Sequence, residues 1–264
     1  MKSSIVRARA GAQWFGLAYQ ALCHRPLALL LLVGLISICN ILVNRLPLIG
    51  QPLCHAMLPF DTLIVLIAAA ESVAGRMSTS ALLLYPFRAI RPHLRGLLAL
   101  SAVHAIAFLL VLALVSSMSE SGFAALYLED PRGTAKAGLP NLLSKFAMDI
   151  LTMPLLLLQF APALVYWLRT SVRQSISSSA AACLRNWRAL LVLCCIEGVV
   201  IFLFGALAVL VMPPQATELM TLVVANICLI VPTATVFIAG LFAFRDIFAP
   251  ETALPAAPIC VAQA

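Results

Sequence analysis

The chain has 264 residues, of which 63% are hydrophobic and only 10% are charged. An ordinary soluble domain carries about 25% charged residues, so this composition argues against a soluble protein and predicts an integral membrane protein. The net charge of +7 is then interpreted as an orientation signal of a membrane protein, and a nucleic-acid partner is not expected.

Six long apolar runs follow one another along the chain. A hydrocarbon core about 30 Å thick needs about 20 mostly apolar residues in a helix, and each run comes close to that length. The runs cover residues 27–43, 53–70, 97–115, 150–168, 189–211 and 219–242. The sequence therefore predicts an all-α, polytopic transmembrane bundle of six helices that forms one domain over residues 1–248. Residues 249–264, with three prolines, are predicted to form a disordered cytoplasmic tail.

Lysine and arginine residues are concentrated in every second loop between the apolar runs. With six spans, 13 of the 17 lysines and arginines fall on one side of the membrane. Because cytoplasmic loops carry an excess of Lys and Arg, both termini are predicted to be cytoplasmic. Five or seven spans would mix the basic joints with the others, so the bias supports six. The first run has full length and lacks a small-residue cleavage site, which predicts an uncleaved span.

Each pair of spans is preceded by a basic, partly amphipathic stretch on the predicted cytoplasmic side. The first covers residues 11–25, and the second covers residues 81–95 and is interrupted by Pro86 and Pro92. The sequence predicts that these stretches form short helices in the membrane interface.

The third stretch has the clearest amphipathic pattern. Its apolar stripe, at a spacing of about four, consists of Val172, Ile176, Ala180, Leu184 and Trp187. Arg173, Arg185 and Arg188 lie on the opposite face. We expect these arginines to contact anionic lipid headgroups and Trp187 to lie at the membrane boundary.

Polar residues deep inside the spans are candidates for function. A charged side chain at the bilayer centre costs at least ~2.5–3.5 kcal/mol on insertion scales. Asp61 lies about eight residues into the second span, which is roughly 12 Å at 1.5 Å per residue. Glu197 in the fifth span and His104 in the third lie at comparable depth. Neutral candidates in the first, fourth and sixth spans are Asn40, Gln159 and Asn226.

Two interpretations of these polar residues remain open at the level of sequence. If Asp61, His104 and Glu197 face inward, they could share a proton or a cation. Alternatively, each is a neutral, hydrogen-bonded packing residue that contributes about 1 kcal/mol to helix association.

The four prolines inside the spans are Pro59, Pro154, Pro162 and Pro232. Proline removes a backbone donor and clashes with the preceding turn, so each is expected to kink or break its helix. Membrane helices tolerate such breaks where neighbours satisfy the freed backbone groups. The kinks serve either packing or a functional hinge.

Signatures of common membrane enzymes and metal sites are absent from the sequence. It contains no G-x-x-x-x-G-K-[ST], H-E-x-x-H, G-x-S-x-G or C-x-x-C pattern. His55 and Asp61 are six residues apart, on roughly opposite faces of one helix, so they do not form a metal pair. We expect no enzymatic activity, no catalytic residue, no metal and no cofactor.

Several short stretches resemble a known family. They are PLIG at 47–50, Glu71 at the end of the second helix, FAPALV at 160–165, ACLRNW at 182–187 and FRDIF at 244–248. Their order resembles the BPSS-type family of uncharacterised multi-pass inner-membrane proteins of proteobacteria, over residues 13–248. The resemblance implies a six-helix architecture and a location in the bacterial inner membrane. It implies no activity.

The leading hypothesis is a non-enzymatic helix bundle that binds membrane lipid, a small ligand, a second copy of itself or a partner membrane protein. The basic cytoplasmic face and the lack of catalytic motifs favour it. The alternative is a transporter or channel for a small solute or ion that uses the buried polar residues. A third interpretation, an enzyme acting on lipid inside the membrane, lacks a recognisable nucleophile and base.

Overall fold

The computed structural model describes residues 3–75, 77–118, 153–211 and 217–248. In these ranges all regular structure is helical, with no β-strand, as the sequence predicts. Five helices in them are long enough and apolar enough to cross a membrane. They correspond to the first, second, third, fifth and sixth predicted spans. The tail predicted to be disordered lies outside the described residues.

The described residues form nine α-helices and two 3-10 helices. The α-helices are α1 (Ala10–His24), α2 (Pro26–Asn44), α3 (Gly50–Ala74), α4 (Thr79–Ala89), α5 (Leu94–Met118), α6 (Ala161–Trp167), α7 (Val172–Arg185), α8 (Trp187–Val211) and α9 (Glu218–Phe248). The 3-10 helices cover Arg91–His93, between α4 and α5, and Met153–Leu158, before α6.

Local sequence signals set several of these helix ends. Pro26 occupies the first turn of α2, where its missing N–H costs nothing. Ser78 and Ser171 cap α4 and α7, each accepting a hydrogen bond from a backbone N–H of the first turn. Gly75 ends α3 in the left-handed conformation, with φ at 69°, and its N–H returns to the Glu71 carbonyl.

Helices α3 and α9 form the centre of the bundle. Helix α3 packs against α2, α4, α5 and α9, and α9 also packs against α1, α2 and α8. All seven residues from 63 to 69 in α3 are buried, because this stretch is apolar on every side. Half of the most apolar window of α3 and of α9 is buried, against 6% for α8. Helix α8 therefore lies at the edge of the bundle.

Helix α1 packs against α8 and α9 rather than standing apart from the bundle. Its buried face consists of Gly11, Trp14, Ala18 and Leu22, together with Ala10. The Trp14 indole has no exposed surface, and its Nε1 donates a hydrogen bond to Oδ2 of Asp246 at 2.6 Å. This face of α1 is thus covered by protein, and the location of α1 in the membrane interface stays a prediction.

The two ends of the described chain meet at one end of the bundle. The Ser4 backbone N–H donates to the Ile247 carbonyl at 2.9 Å, and the Ser4 hydroxyl donates to the Asp246 carbonyl at 2.6 Å. Asn186, between α7 and α8, accepts from the Val6 N–H at 2.8 Å and donates to the Ser4 carbonyl at 3.0 Å. These bonds join the N-terminal segment, the α7–α8 corner and the end of α9.

The fourth predicted span, residues 150–168, is not one continuous helix in its described part. A 3-10 helix, Met153–Leu158, is followed by a turn at Gln159 and Phe160, and only then by α6. Pro162 lies in the first turn of α6, where it has no N–H to continue a longer helix. The break expected from proline is confirmed here. Residues 153–167 are called the broken segment below.

Other prolines are accommodated inside helices. Helices α3 and α9 continue through Pro59 and Pro232. Helix α4 also continues through Pro86 and ends at Ala89, so the predicted interruption at Pro86 is wrong. The break in the broken segment therefore needs more than a proline, and its partners are described below.

Helices α1 and α8 approach each other closely at Gly11. A Cβ at Gly11 would collide with the Ala189 carbonyl oxygen and would lie 2.8 Å from the Leu193 nitrogen. Backbone atoms cannot move aside as a flexible side chain can. We expect Gly11→Ala to destabilise the protein by about 1–3 kcal/mol, measured as a lower melting temperature in detergent.

Gly16 of the same helix is the matched control. A Cβ at Gly16 meets nothing within 4 Å. Because alanine is a better helix former than glycine, Gly16→Ala should be neutral or stabilising by about 0.5–1 kcal/mol. Equal melting temperatures for Gly11→Ala and the wild type would contradict the packing of α1 on α8.

Candidate functional site

The turn in the broken segment is held by side chains from α7. The Ser179 hydroxyl accepts a hydrogen bond from the Phe160 N–H at 3.2 Å and donates one to the Leu157 carbonyl at 2.6 Å. The Cys183 Sγ lies 3.8 Å from the same carbonyl oxygen. An unsatisfied backbone group in a bilayer costs several kcal/mol. Helix α7 thus supplies the partners that permit the break.

The protein-facing side of α7 is a face of small residues, not the apolar stripe seen in the sequence. Its buried residues are Ser175, Ser179, Ala182 and Cys183. Of the predicted stripe, Val172 and Ile176 pack partly against a small cluster around Leu100, whereas Leu184 is 62% exposed. Small side chains let the α7 backbone approach the broken segment closely, which aliphatic residues would prevent.

The residues predicted to contact headgroups lie at the surface. Arg173, Arg185 and Arg188 are exposed, and so is Trp187, at 55%. The Arg188 guanidinium lies 5.5 Å from the centre of the Trp187 ring. Their contact with anionic lipid stays a prediction.

A cavity of about 300 Å³ lies between α3, α5, α9 and the broken segment. Polar groups enter it from His55, Thr62, His104 and Gln159. The apolar part of its wall consists of Leu58, Pro59, Leu66, Leu155, Leu156, Leu158, Phe160, Pro162, Val236 and Phe237. The turn of the broken segment and Pro59 of α3 both border this space.

The cavity opens on the outer surface of the bundle. Leu58 and Leu156 line it and are 36% and 47% exposed. These residues belong to α3 and to the broken segment, whose faces would meet lipid tails in a membrane. A molecule dissolved in the bilayer could therefore enter sideways.

The imidazole rings of His55 and His104 both line the cavity. Nδ1 of the buried His104 lies 2.9 Å from the Leu100 carbonyl oxygen. Because a carbonyl only accepts, Nδ1 carries the proton and Nε2 is left as an acceptor. The His55 ring stacks on Phe108 with 3.8 Å between centroids. Its Nδ1 is buried without a partner among the residues that the structure describes.

Asp61 lies outside this cavity. Its buried carboxyl group accepts a hydrogen bond from Nδ2 of Asn40 in α2, at 2.9 Å. The pair joins two helices, which matches the interpretation of Asp61 as a packing residue and is worth about 0.6–1.7 kcal/mol in comparable membrane proteins.

Glu197 and Asn226 also lie elsewhere. Glu197 is half-buried on α8, the edge helix. Asn226 lines a separate, almost entirely apolar groove of about 300 Å³ between α2 and α9. Of the predicted polar candidates, the structure brings only His104 and Gln159 to the cavity. No group of three or more His, Cys, Asp or Glu side chains in the described ranges is arranged to hold a metal ion.

Sequence reasoning missed the roles of His55, Ser179 and Cys183. Ser175, Ser179 and Cys183 recur every four residues, so they share one helix face. That spacing could have identified a polar face on α7. The sequence contains no comparable signal for His55. Whether His55 faces His104 depends on how α3 and α5 are rotated against each other.

Comparison with known proteins finds no matching family model, curated protein or solved structure. The resemblance to the BPSS-type family stays a prediction.

Loss of the Ser179 hydroxyl should weaken the bundle. Ser179→Ala removes the partner of the Phe160 N–H and of the Leu157 carbonyl. Leaving a buried group unsatisfied costs about 1–3 kcal/mol.

The matched control is Ser177, which is exposed and donates to the Gln174 carbonyl in its own helix. Ser177→Ala should therefore change the free energy of unfolding by less than about 0.5 kcal/mol. Thermal unfolding of both variants in detergent checks the difference, and equal losses would contradict it.

The Cys183 thiol should not react with maleimide at neutral pH. Burial raises the pKa of the Cys183 thiol to about 12, and the thiolate is the reactive form. Maleimide at pH 7–8 should leave Cys183 unmodified in the folded protein and react with the exposed Cys23. Labelling of Cys183 at the same pH should rise when the protein is unfolded. Mass spectrometry of labelled peptides measures this, and fast modification at pH 7 would contradict the burial.

Proposed function

We propose that this chain is a non-enzymatic membrane helix bundle that binds a small, membrane-dissolved molecule in the cavity between α3, α5, α9 and the broken segment. The bound molecule carries a hydrogen-bond donor, such as a hydroxyl group, on an otherwise apolar body. The main support for the proposal is the pair of imidazoles, His55 and His104, which line the same mostly apolar cavity, with Nδ1 of His104 bonded to the Leu100 carbonyl so that its Nε2 is the acceptor nitrogen.

The wall of the cavity supports a ligand of this class. Small-molecule sites are typically mostly apolar, with a few polar groups that orient the ligand. Here aliphatic and aromatic side chains form most of the wall, and the polar groups are two imidazoles, one hydroxyl and one amide. The volume of about 300 Å³ matches the smaller end of the usual range for such pockets.

The position of the mouth supports entry from the bilayer. The exposed leucines Leu58 and Leu156 border the opening, so an approaching molecule exchanges lipid contacts for protein contacts. Little apolar burial is gained in that exchange. Affinity and specificity therefore have to come from shape and from hydrogen bonds to the imidazoles.

We also propose that the broken segment crosses the membrane, giving six crossings. Five full-length crossings would place Ser4 and Ile247 on opposite faces, whereas these residues are hydrogen-bonded to each other. A crossing by the broken segment returns the chain to the same side. The distribution of basic residues favours the cytoplasm for that side, and the family resemblance favours a bacterial inner membrane.

Transport of the same molecule is the second candidate function. Discontinuous helices near the centre of the membrane are a known feature of transporter binding sites. The turn at Gln159 and Phe160 borders the cavity, which favours this alternative. Uptake of the identified molecule into proteoliposomes would distinguish a carrier from a binding protein.

The test is an analysis of molecules that copurify with the protein. Wild-type protein in a maltoside detergent is extracted with organic solvent, and the extract is quantified by mass spectrometry. We expect one species at about one molecule per chain. His104→Phe keeps an aromatic ring but removes the acceptor. Loss of a hydrogen bond worth about 1.4 kcal/mol lowers affinity about tenfold, and retention should fall accordingly.

Asp61→Asn serves as the control because Asp61 bonds Asn40 and does not line the cavity. It should retain the species at the wild-type level. Identical extracts from the wild type and from folded His104→Phe would contradict the proposal. Selective loss in Asp61→Asn would move the site to the α2–α3 contact.

A further inference from the structure

A second pocket, of about 460 Å³, lies where the broken segment leaves the bundle. Its walls come from the joint between α4 and α5 and from the joint between α6 and α7. The lining residues are Pro92, His93, Gly96, Val165, Arg169 and Thr170. None of them lines the cavity of the proposed function, so the two spaces are separate. Both joints belong to the basic set that the sequence assigns to the cytoplasmic side.

Arg169 gives this pocket a permanent positive charge. Its guanidinium stays protonated at any physiological pH. Among residues 3–75, 77–118, 153–211 and 217–248, no Asp or Glu side chain forms an ion pair with it. The charge is exposed on the wall of the pocket and is free to meet an anion.

The backbone of Arg169 is held in an unusual conformation. Its φ is 49°, in the left-handed region that residues other than glycine seldom adopt. Such conformations persist where the surroundings impose them, and they concentrate at binding sites. Here the left-handed residue turns the chain from α6 towards α7 and carries the arginine onto the pocket wall.

Neighbouring donors complete the pocket. The His93 ring packs edge-on against Tyr166, with 5.2 Å between centroids, which fixes the orientation of the imidazole. The Thr170 hydroxyl lies 2.6 Å from the Ser175 hydroxyl, which itself donates to the Ser171 carbonyl, so Thr170 donates to Ser175 and is held at the edge of the pocket. Helix α7 begins two residues later at Val172, behind its Ser171 cap, and the first-turn N–H groups of a helix favour negative charge.

We propose that this pocket binds a phosphate group, supplied either by an anionic phospholipid or by a soluble phosphate ester. Arginine recognises phosphate with two parallel hydrogen bonds. The His93 imidazole adds a donor to one of the remaining oxygens. The pocket lies at the ends of the apolar segments, at the level where lipid headgroups meet water. This site is independent of the ligand cavity and adds a second binding function to the protein.

The experiment uses the full chain in dodecyl maltoside, a detergent without phosphorus, and follows ³¹P NMR linewidths. Dihexanoyl-phosphatidylglycerol and inorganic phosphate are titrated separately. We expect wild-type protein to broaden at least one of the two signals and Arg169→Gly to reduce that broadening at least fivefold. Because glycine adopts positive φ without strain, Arg169→Gly should also raise the melting temperature measured without probe. A purely structural arginine would not give that combination.

Arg9→Gln is the charge-matched control, because Arg9 is exposed before α1 and does not line the pocket. It should broaden the signals as the wild type does. Broadening of the lipid alone identifies a headgroup site, and broadening of phosphate alone identifies a soluble ester. No broadening by the wild type, unchanged broadening by Arg169→Gly, or an equal loss in Arg9→Gln would each overturn the proposal.

Discussion

A backbone amide or carbonyl that is buried away from water needs a hydrogen-bond partner, and this requirement governs how the broken segment is built. At the turn after the 3-10 helix, the Phe160 N–H and the Leu157 carbonyl have left regular helical pairing. One hydroxyl, that of Ser179, satisfies both of them. This bond fixes α7 against the bundle. The α7–α8 corner, at Asn186, in turn binds the N-terminal segment.

The ligand cavity follows from the same irregularity. A straight fourth helix would continue along α3 and α5 and present regularly spaced side chains to them. The turn instead places Gln159 and Phe160 on the wall of a space that His55 and His104 also face. Close packing normally removes voids of this size from protein interiors. The space is retained because the backbone around it changes direction.

The cavity between α3, α5, α9 and the broken segment and the pocket at Arg169 have opposite chemistry. In the ligand cavity the polar groups are imidazoles, a hydroxyl and an amide, which can remain neutral where an uncompensated charge would be costly. The second pocket holds Arg169, a charge that must keep contact with water or with an anion. The neutral wall of the cavity suits the neutral, donor-bearing ligand that we propose for it, and the charge of Arg169 suits the proposed phosphate group.

Apolar length is a local property, so the sequence alone predicted six spans, and five of them are membrane-length helices in the described residues. Proline position predicted a break at Pro162, but the same rule also applied to Pro59 and Pro232, where the helices continue. The sequence also predicted His104 and Gln159 as candidates, because a polar residue within an apolar run can be identified without knowing what it contacts. Which faces meet depends on how each helix is rotated by packing. Only the tertiary structure therefore paired Asp61 with Asn40, buried the serine face of α7 and placed His55 beside the same cavity as His104.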